Sequence, residues 1–73
     1  LISEQKKQVL ELFALGRKYY KLMQFEEARQ AFSQALTIDP EDGPSKVYAA
    51  RCRVYLETPP ADDWDGVFVM KSK

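Results

Sequence analysis

The chain is 73 residues long, 45% apolar and 30% charged, and its 11 basic side chains balance its 11 acidic ones. That is the composition of one small globular domain rather than of a disordered segment. A formal net charge of zero lacks the basic excess on which nucleic-acid binding draws. No apolar run approaches the ~18 residues that cross a bilayer, and no signal-peptide pattern opens the chain. Composition thus implies a soluble, cytoplasmic segment with no nucleic-acid partner and no direct membrane insertion. The start at Leu1, without an initiator Met, reads as a piece of a longer polypeptide.

The inventory for catalysis is thin. There is no His, and the single cysteine, Cys52, can form neither an internal disulfide nor a thiolate zinc site. Cys52 reads as a half-buried small hydrophobe. Gly16, Gly43 and Gly66 stand apart, outside any phosphate-cradling loop pattern. Glu26-Glu27 suits a helix first turn, where carboxylates complement the dipole. Asp62, Asp63 and Asp65 lack the ligand spacing of a calcium loop. No catalytic residue, cofactor or metal is expected in this chain. Residues 1–24 are net basic and residues 25–45 net acidic, which reads first as solvated helix faces.

Ser3 offers an N-cap for a first helix over 4–22, in which apolar residues recur at Val9, Leu12 or Phe13, Gly16, Tyr19 or Tyr20, and Met23. After a break near Met23-Gln24, Phe25, Ala28, Phe32, Ala35 and Leu36 predict a second helix over 25–37, stopped by Asp39-Pro40. Asp42-Gly43-Pro44-Ser45 then starts a third over 44–57. Val47, Ala50 and Val54 form one face of it and Tyr48, Cys52 and Tyr55 a neighbouring one, before Thr58-Pro59-Pro60 ends it. The expected architecture is all-α, a helical hairpin with the third helix packed on the second. The expected core is Leu12, Leu15, Gly16, Tyr19, Ala28, Phe32, Ala35 and Val47. Residues 1–58 form the helical module and 59–73 an extended tail, whose Asp65-Gly66 turn and apolar Val67–Met70 run call for a docking surface.

Residues 9–42 have the length of a tetratricopeptide repeat. Leu12, Leu15-Gly16, Tyr19, Ala28, Phe32, Ala35 and Pro40 fall on the signature positions of that family, which the segment resembles. Gly16 and Ala28 are small where two helices must approach closely, and Tyr19 and Phe32 fill the space beside them. The third helix resembles the first helix of a further repeat. The double proline and Asp62 then replace that repeat's second helix, so the third helix acts as a cap.

Asp42-Gly43-Pro44-Ser45-Lys46, Arg51-Cys52, Pro59-Pro60 and Asp63-Trp64-Asp65-Gly66-Val67 are similar to the C-terminal end of bacterial class III adenylate/guanylate cyclases. In those proteins a short tetratricopeptide-like segment follows the catalytic domain. The resemblance implies a non-catalytic accessory module, and none of a cyclase's catalytic residues lies in this chain. The alternative is a piece of an unrelated tetratricopeptide scaffold that binds a partner helix or peptide.

Mapped from the family, the groove-lining residues are Leu10, Phe13, Arg17, Tyr20 and Lys21. The members that grip C-terminal carboxylates have Lys and Asn where this chain has Phe13 and Arg17, so that clamp is broken here. An apolar, aromatic groove suits a packed helix or an extended apolar segment. The competing reading covers Phe13 and Tyr20 within the polypeptide itself. The expected partner is protein: a second copy, forming a homodimer through Leu10, Phe13 and Tyr20, or the adjoining catalytic domain. Trp64, Val67, Phe68 and Met70 are the expected docking residues of the tail, either on the third helix or against that catalytic domain.

Overall fold

The computed structural model describes residues 3–64, which form three helices: α1 (Glu4–Lys21), α2 (Phe25–Ile38) and α3 (Gly43–Glu57). No strand occurs among the described residues. Each boundary follows from local chemistry. Ser3 Oγ accepts from the Lys6 amide at 3.1 Å, occupying one of the donors that a helix start leaves open. Glu4 in the first turn and Lys18 and Lys21 in the last complement the dipole of α1.

α1 ends in a Schellman motif. The Gln24 amide donates to the Tyr19 carbonyl at 2.9 Å and the Met23 amide to the Tyr20 carbonyl at 3.0 Å. The motif needs a left-handed residue, usually Gly, and here Met23 supplies it with φ 62°. Three residues therefore suffice to reverse the chain into α2. No side chain caps α2, but Glu26 and Glu27 occupy its first turn. At its far end Asp39, which precedes Pro40, is extended and leaves the helix. Asp42 then caps α3, its Oδ2 accepting from the Ser45 amide at 3.2 Å and from the Ser45 hydroxyl at 2.6 Å.

α2 lies between α1 and α3 and packs along both, whereas α1 and α3 meet over a much smaller contact. The core comprises Val9, Gly16 and Tyr20 from α1, Phe25, Ala28, Ala31, Phe32 and Ala35 from α2, and Ser45, Cys52 and Tyr55 from α3. Ser45 is a polar group with no exposure, made tolerable by its bonds to Asp42.

Gly16, Ala28, Phe32 and Ala35 are buried as expected. Leu15 and Val47 are not: they are 42% and 47% exposed, and Leu12 and Tyr19 are only half-buried. α1 is apolar around much of its circumference, so several stripes satisfy the same period. The stripe that faces the other helices is Val9, Phe13, Gly16 and Tyr20, with Gly16 lying directly against the Phe32 ring of α2. In α3 the Tyr48–Cys52–Tyr55 face turns inward and the Val47–Val54 face outward. Cys52 is fully buried rather than half-buried.

Candidate protein-binding site

α1 and α3 are joined by rings. Phe13 meets Tyr48 at 5.5 Å between centroids, and Tyr20 meets Tyr48 at 5.0 Å with the planes perpendicular. Phe32 of α2 lies beneath, stacked on Tyr48 at 5.4 Å and tilted against Phe13 at 5.6 Å. Offset and edge-to-face arrangements at these separations are the favourable ones for aromatic rings. Phe13 and Tyr20, two of the residues expected to line a groove, both meet Tyr48 here. Tyr20 is 2% exposed.

The other three, Leu10, Arg17 and Lys21, stay at the surface. They continue around α1 from the edge where Phe13 and Tyr20 meet α3. Opposite them, Val47, Arg51 and Val54 continue around α3 from Tyr48, at helical spacings of four and three residues. Leu10, Val47 and Val54 are each close to half exposed. The Arg51 guanidinium lies 5.1 Å from the centre of the Tyr48 ring. The result is an aromatic seam flanked by apolar side chains and by the cations Arg17, Lys21 and Arg51.

The α3 side of this face is absent from the groove residues expected from sequence, yet a signal for it exists. Val47, Arg51 and Val54 follow Phe13, Arg17 and Tyr20 at one repeat length, so the pattern that marks the first wall also marks the second. Trp64 sits at the end of the seam, its ring 5.2 Å from Tyr20, 5.6 Å from Phe25 and 5.2 Å from Tyr55. Val67, Phe68 and Met70 lie outside the described residues. A separate hollow of about 390 Å³ opens on the opposite flank of α3, lined by Arg29, Ser33, Lys46 and Arg53 among others.

The titratable groups are arranged for packing. Burial pushes the Tyr20 phenol up to about 12, with Tyr55 adding to the shift and Arg51 opposing it. Burial likewise raises the Cys52 thiol to about 11, against the opposing charge of Arg29. Such a thiol is protonated and inert at neutral pH. At the surface, Arg29 donates to Glu26 at 2.6 Å, and with Gln30 holds that carboxyl below its usual range. No group of three metal-ligating side chains occurs among the described residues.

Residues 9–42 match the family model of the tetratricopeptide repeat. The repeat takes in most of α1, all of α2 and the Asp39–Asp42 turn, and α3 follows directly after it. No curated protein and no solved structure matches the chain. Gly16 and Ala28 are two small positions of the repeat and both are buried, and a Cβ on Gly16 would run into the Phe32 ring of α2. The α1–α2 hairpin presents Leu10, Arg17 and Lys21 outward. Repeats of this kind are typically non-catalytic and mediate contacts with protein partners. No helix among the described residues is long and apolar enough to cross a membrane.

Proposed function

We propose that this chain is a cytoplasmic, non-catalytic interaction and oligomerisation module that forms the C-terminal accessory part of a bacterial adenylate/guanylate cyclase. The observation that carries the interaction role is the half-exposed apolar set Leu10, Val47 and Val54, flanking the aromatic seam between the repeat and α3. Unpartnered apolar side chains gathered on one face mark a protein contact more often than a solvated surface. The cations Arg17, Lys21 and Arg51 beside them favour an apolar partner segment that also carries carboxylates.

The partner in this reading is a second copy, most simply in a two-fold dimer, or the catalytic domain preceding Leu1. Because Tyr20 is covered, the accessible contact consists of Leu10, Val47 and Val54 rather than of Leu10, Phe13 and Tyr20. The cyclase assignment rests on the Asp42–Lys46, Pro59-Pro60 and Asp63–Val67 patterns. It stands or falls with the coding sequence upstream of Leu1, which must contain a cyclase domain.

Equilibrium sedimentation across concentration tests the oligomerisation role. A reversible dimer that Leu10→Arg or Val47→Arg converts to monomer is the expected result. A strict monomer at high micromolar concentration refutes it. Nucleotide turnover by the purified chain would refute the non-catalytic role.

A further inference from the structure

We infer that the hollow between α2 and α3 is the seat of an amphipathic helix from a partner protein, one that turns a carboxylate toward Arg53 and another toward Lys46. The inference rests on the reading of the module as a binder of protein segments. It concerns the flank of α3 away from the aromatic seam.

The internal repeat specifies what this face receives. One repeat length carries Leu12, Leu15, Gly16 and Tyr19 of α1 onto Lys46, Ala49, Ala50 and Arg53 of α3. Those four residues line the hollow of about 390 Å³ from the α3 side, facing Arg29, Ser33 and Leu36 of α2. On α1 the same positions lie against α2. Gly16 meets the Phe32 ring, and Leu15 and Tyr19 share a shallow hollow with Glu27, Gln30 and Gln34. α3 thus presents, position for position, the face on which α1 holds a helix. Among the described residues no helix covers it, because beyond Thr58 the segment with Pro59-Pro60 is non-helical through Trp64.

The differences between the two faces specify the occupant. Where α1 has Leu12 and Tyr19, α3 has Lys46 and Arg53, and Arg29 adds a third cation from α2, while no carboxylate lines the hollow. Arg29 is committed to Glu26 at 2.6 Å. Lys46 reaches Glu41 at 3.7 Å, but through side chains that are 53% and 89% exposed, and a pair so exposed contributes little. Arg53 forms no ion pair among the described residues. Lys46 and Arg53 are seven residues apart, which is about two helical turns on one face of α3. Between them Ala49 and Ala50 keep the surface low, so a helix can approach closely, and Leu36 offers it an apolar contact. Ala50 carries the Cβ that Gly16 lacks, so the residue facing it must be smaller than Phe32. A second copy of α3 would bring its own Lys46 and Arg53 against the same cations, and Val67–Met70 contains no carboxylate. Charge complementarity therefore selects a partner helix that is acidic at both ends of its contact and aliphatic between them.

The test uses the whole chain and a fluorescein-labelled peptide built on α2, the helix that the matching face of α1 holds. The peptide has the sequence of residues 25–38 with Phe32→Leu, to fit beside Ala50, and Gln34→Glu. Its carboxylates at positions 27 and 34 are then spaced as Arg53 and Lys46 are. A cross-link on its outer face keeps it helical, since so short a helix is marginal alone. Saturable binding to the wild type is expected, weakened at least about tenfold by Arg53→Glu and by Lys46→Glu, each verified as folded by circular dichroism. Replacing Glu27 by Lys in the peptide should abolish binding to the wild type and restore it to Arg53→Glu. No binding to the wild type, binding indifferent to both charge reversals, or a charge swap that restores nothing overturns the proposal. Binding that tightens about tenfold in a Val67→Ser, Phe68→Ser variant also overturns it, because the chain's own tail is then the occupant. So does a wild-type dimer that Arg53→Glu renders monomeric, which makes the occupant a second copy. None of these readouts alters Leu10 or Val47, so failure here leaves the oligomerisation reading intact.

Discussion

A Cβ placed on Gly16 would lie 2.5 Å from Cε1 of Phe32 and 2.7 Å from its Cζ, inside the ring's own volume. Phe32 has no exposure and stacks on Tyr48, so it cannot swing aside without disturbing the contact with α3. Gly16 is thus what allows a phenyl ring to lie between the two helices of the repeat. Gly16→Ala should destabilise the fold by about 1–3 kcal/mol through overpacking. Phe32→Leu, costly alone, should recover part of that loss in the double variant. Urea unfolding midpoints for the four species of the cycle provide the check, and strict additivity would show that the two residues do not share the space.

Ala28 is the second small position, fully buried on α2. Ala28→Leu should likewise cost about 1–3 kcal/mol. Ala14→Leu, at an exposed site of α1, should stay within about 0.5 kcal/mol of wild type as a surface control.

Asp42 supports α3 in two ways, capping its amides and partnering the buried Ser45 hydroxyl. Asp42→Ala removes both and should destabilise by about 1–3 kcal/mol, more than a cap alone because a buried hydroxyl is left without its acceptor. Adding Ser45→Ala to Asp42→Ala should be less damaging than the sum of the single changes. Thermal melts of the three variants test this.

Met23 occupies a left-handed conformation at φ 62° while packing against the core. A β-branched side chain is strongly disfavoured there. Met23→Val should therefore cost about 1–2 kcal/mol in backbone strain, and Met23→Gly should be the milder change. Equal losses for the two, measured by chemical denaturation, would place the effect in packing rather than in the backbone.

Alkaline pH should unfold the protein in a defined window. Folding raises the Cys52 thiol from 9.0 to about 11 and the Tyr20 phenol from 10.0 to about 12. Each folded-state value lies above the unfolded one, so the stability each group contributes is complete below the unfolded value and is lost as pH rises through the folded one. Stability should hold level to about pH 9, then fall through about pH 11 for Cys52 and about pH 12 for Tyr20. Cys52→Ala should remove the earlier part of the fall, read from urea midpoints across the range. A thiol reagent at pH 8 should react with Cys52 far more slowly in the native protein than in the unfolded one.

Local chemistry along the chain is enough to set the three helices, their order and nearly their ends. Ser3, Met23-Gln24, Asp39-Pro40, Asp42 and Pro59-Pro60 act within a few residues, through caps, a left-handed turn and the steric effect of proline. The repeat was equally legible, because Gly16, Ala28 and Phe32 answer one local requirement, the close approach of two antiparallel helices. Which of several apolar stripes faces inward depends instead on how the three helices pack. Leu15 and Val47 satisfy the helical period as well as Val9 and Cys52 do, and periodicity does not say where the next helix lies. Where α2 lies against α1 and α3 settles it, turning Tyr20 and Tyr55 toward Phe25 and leaving Leu10, Val47 and Val54 outward. The packing of Trp64 is likewise nonlocal: Tyr20, Phe25 and Tyr55, which its ring meets, come from three different helices.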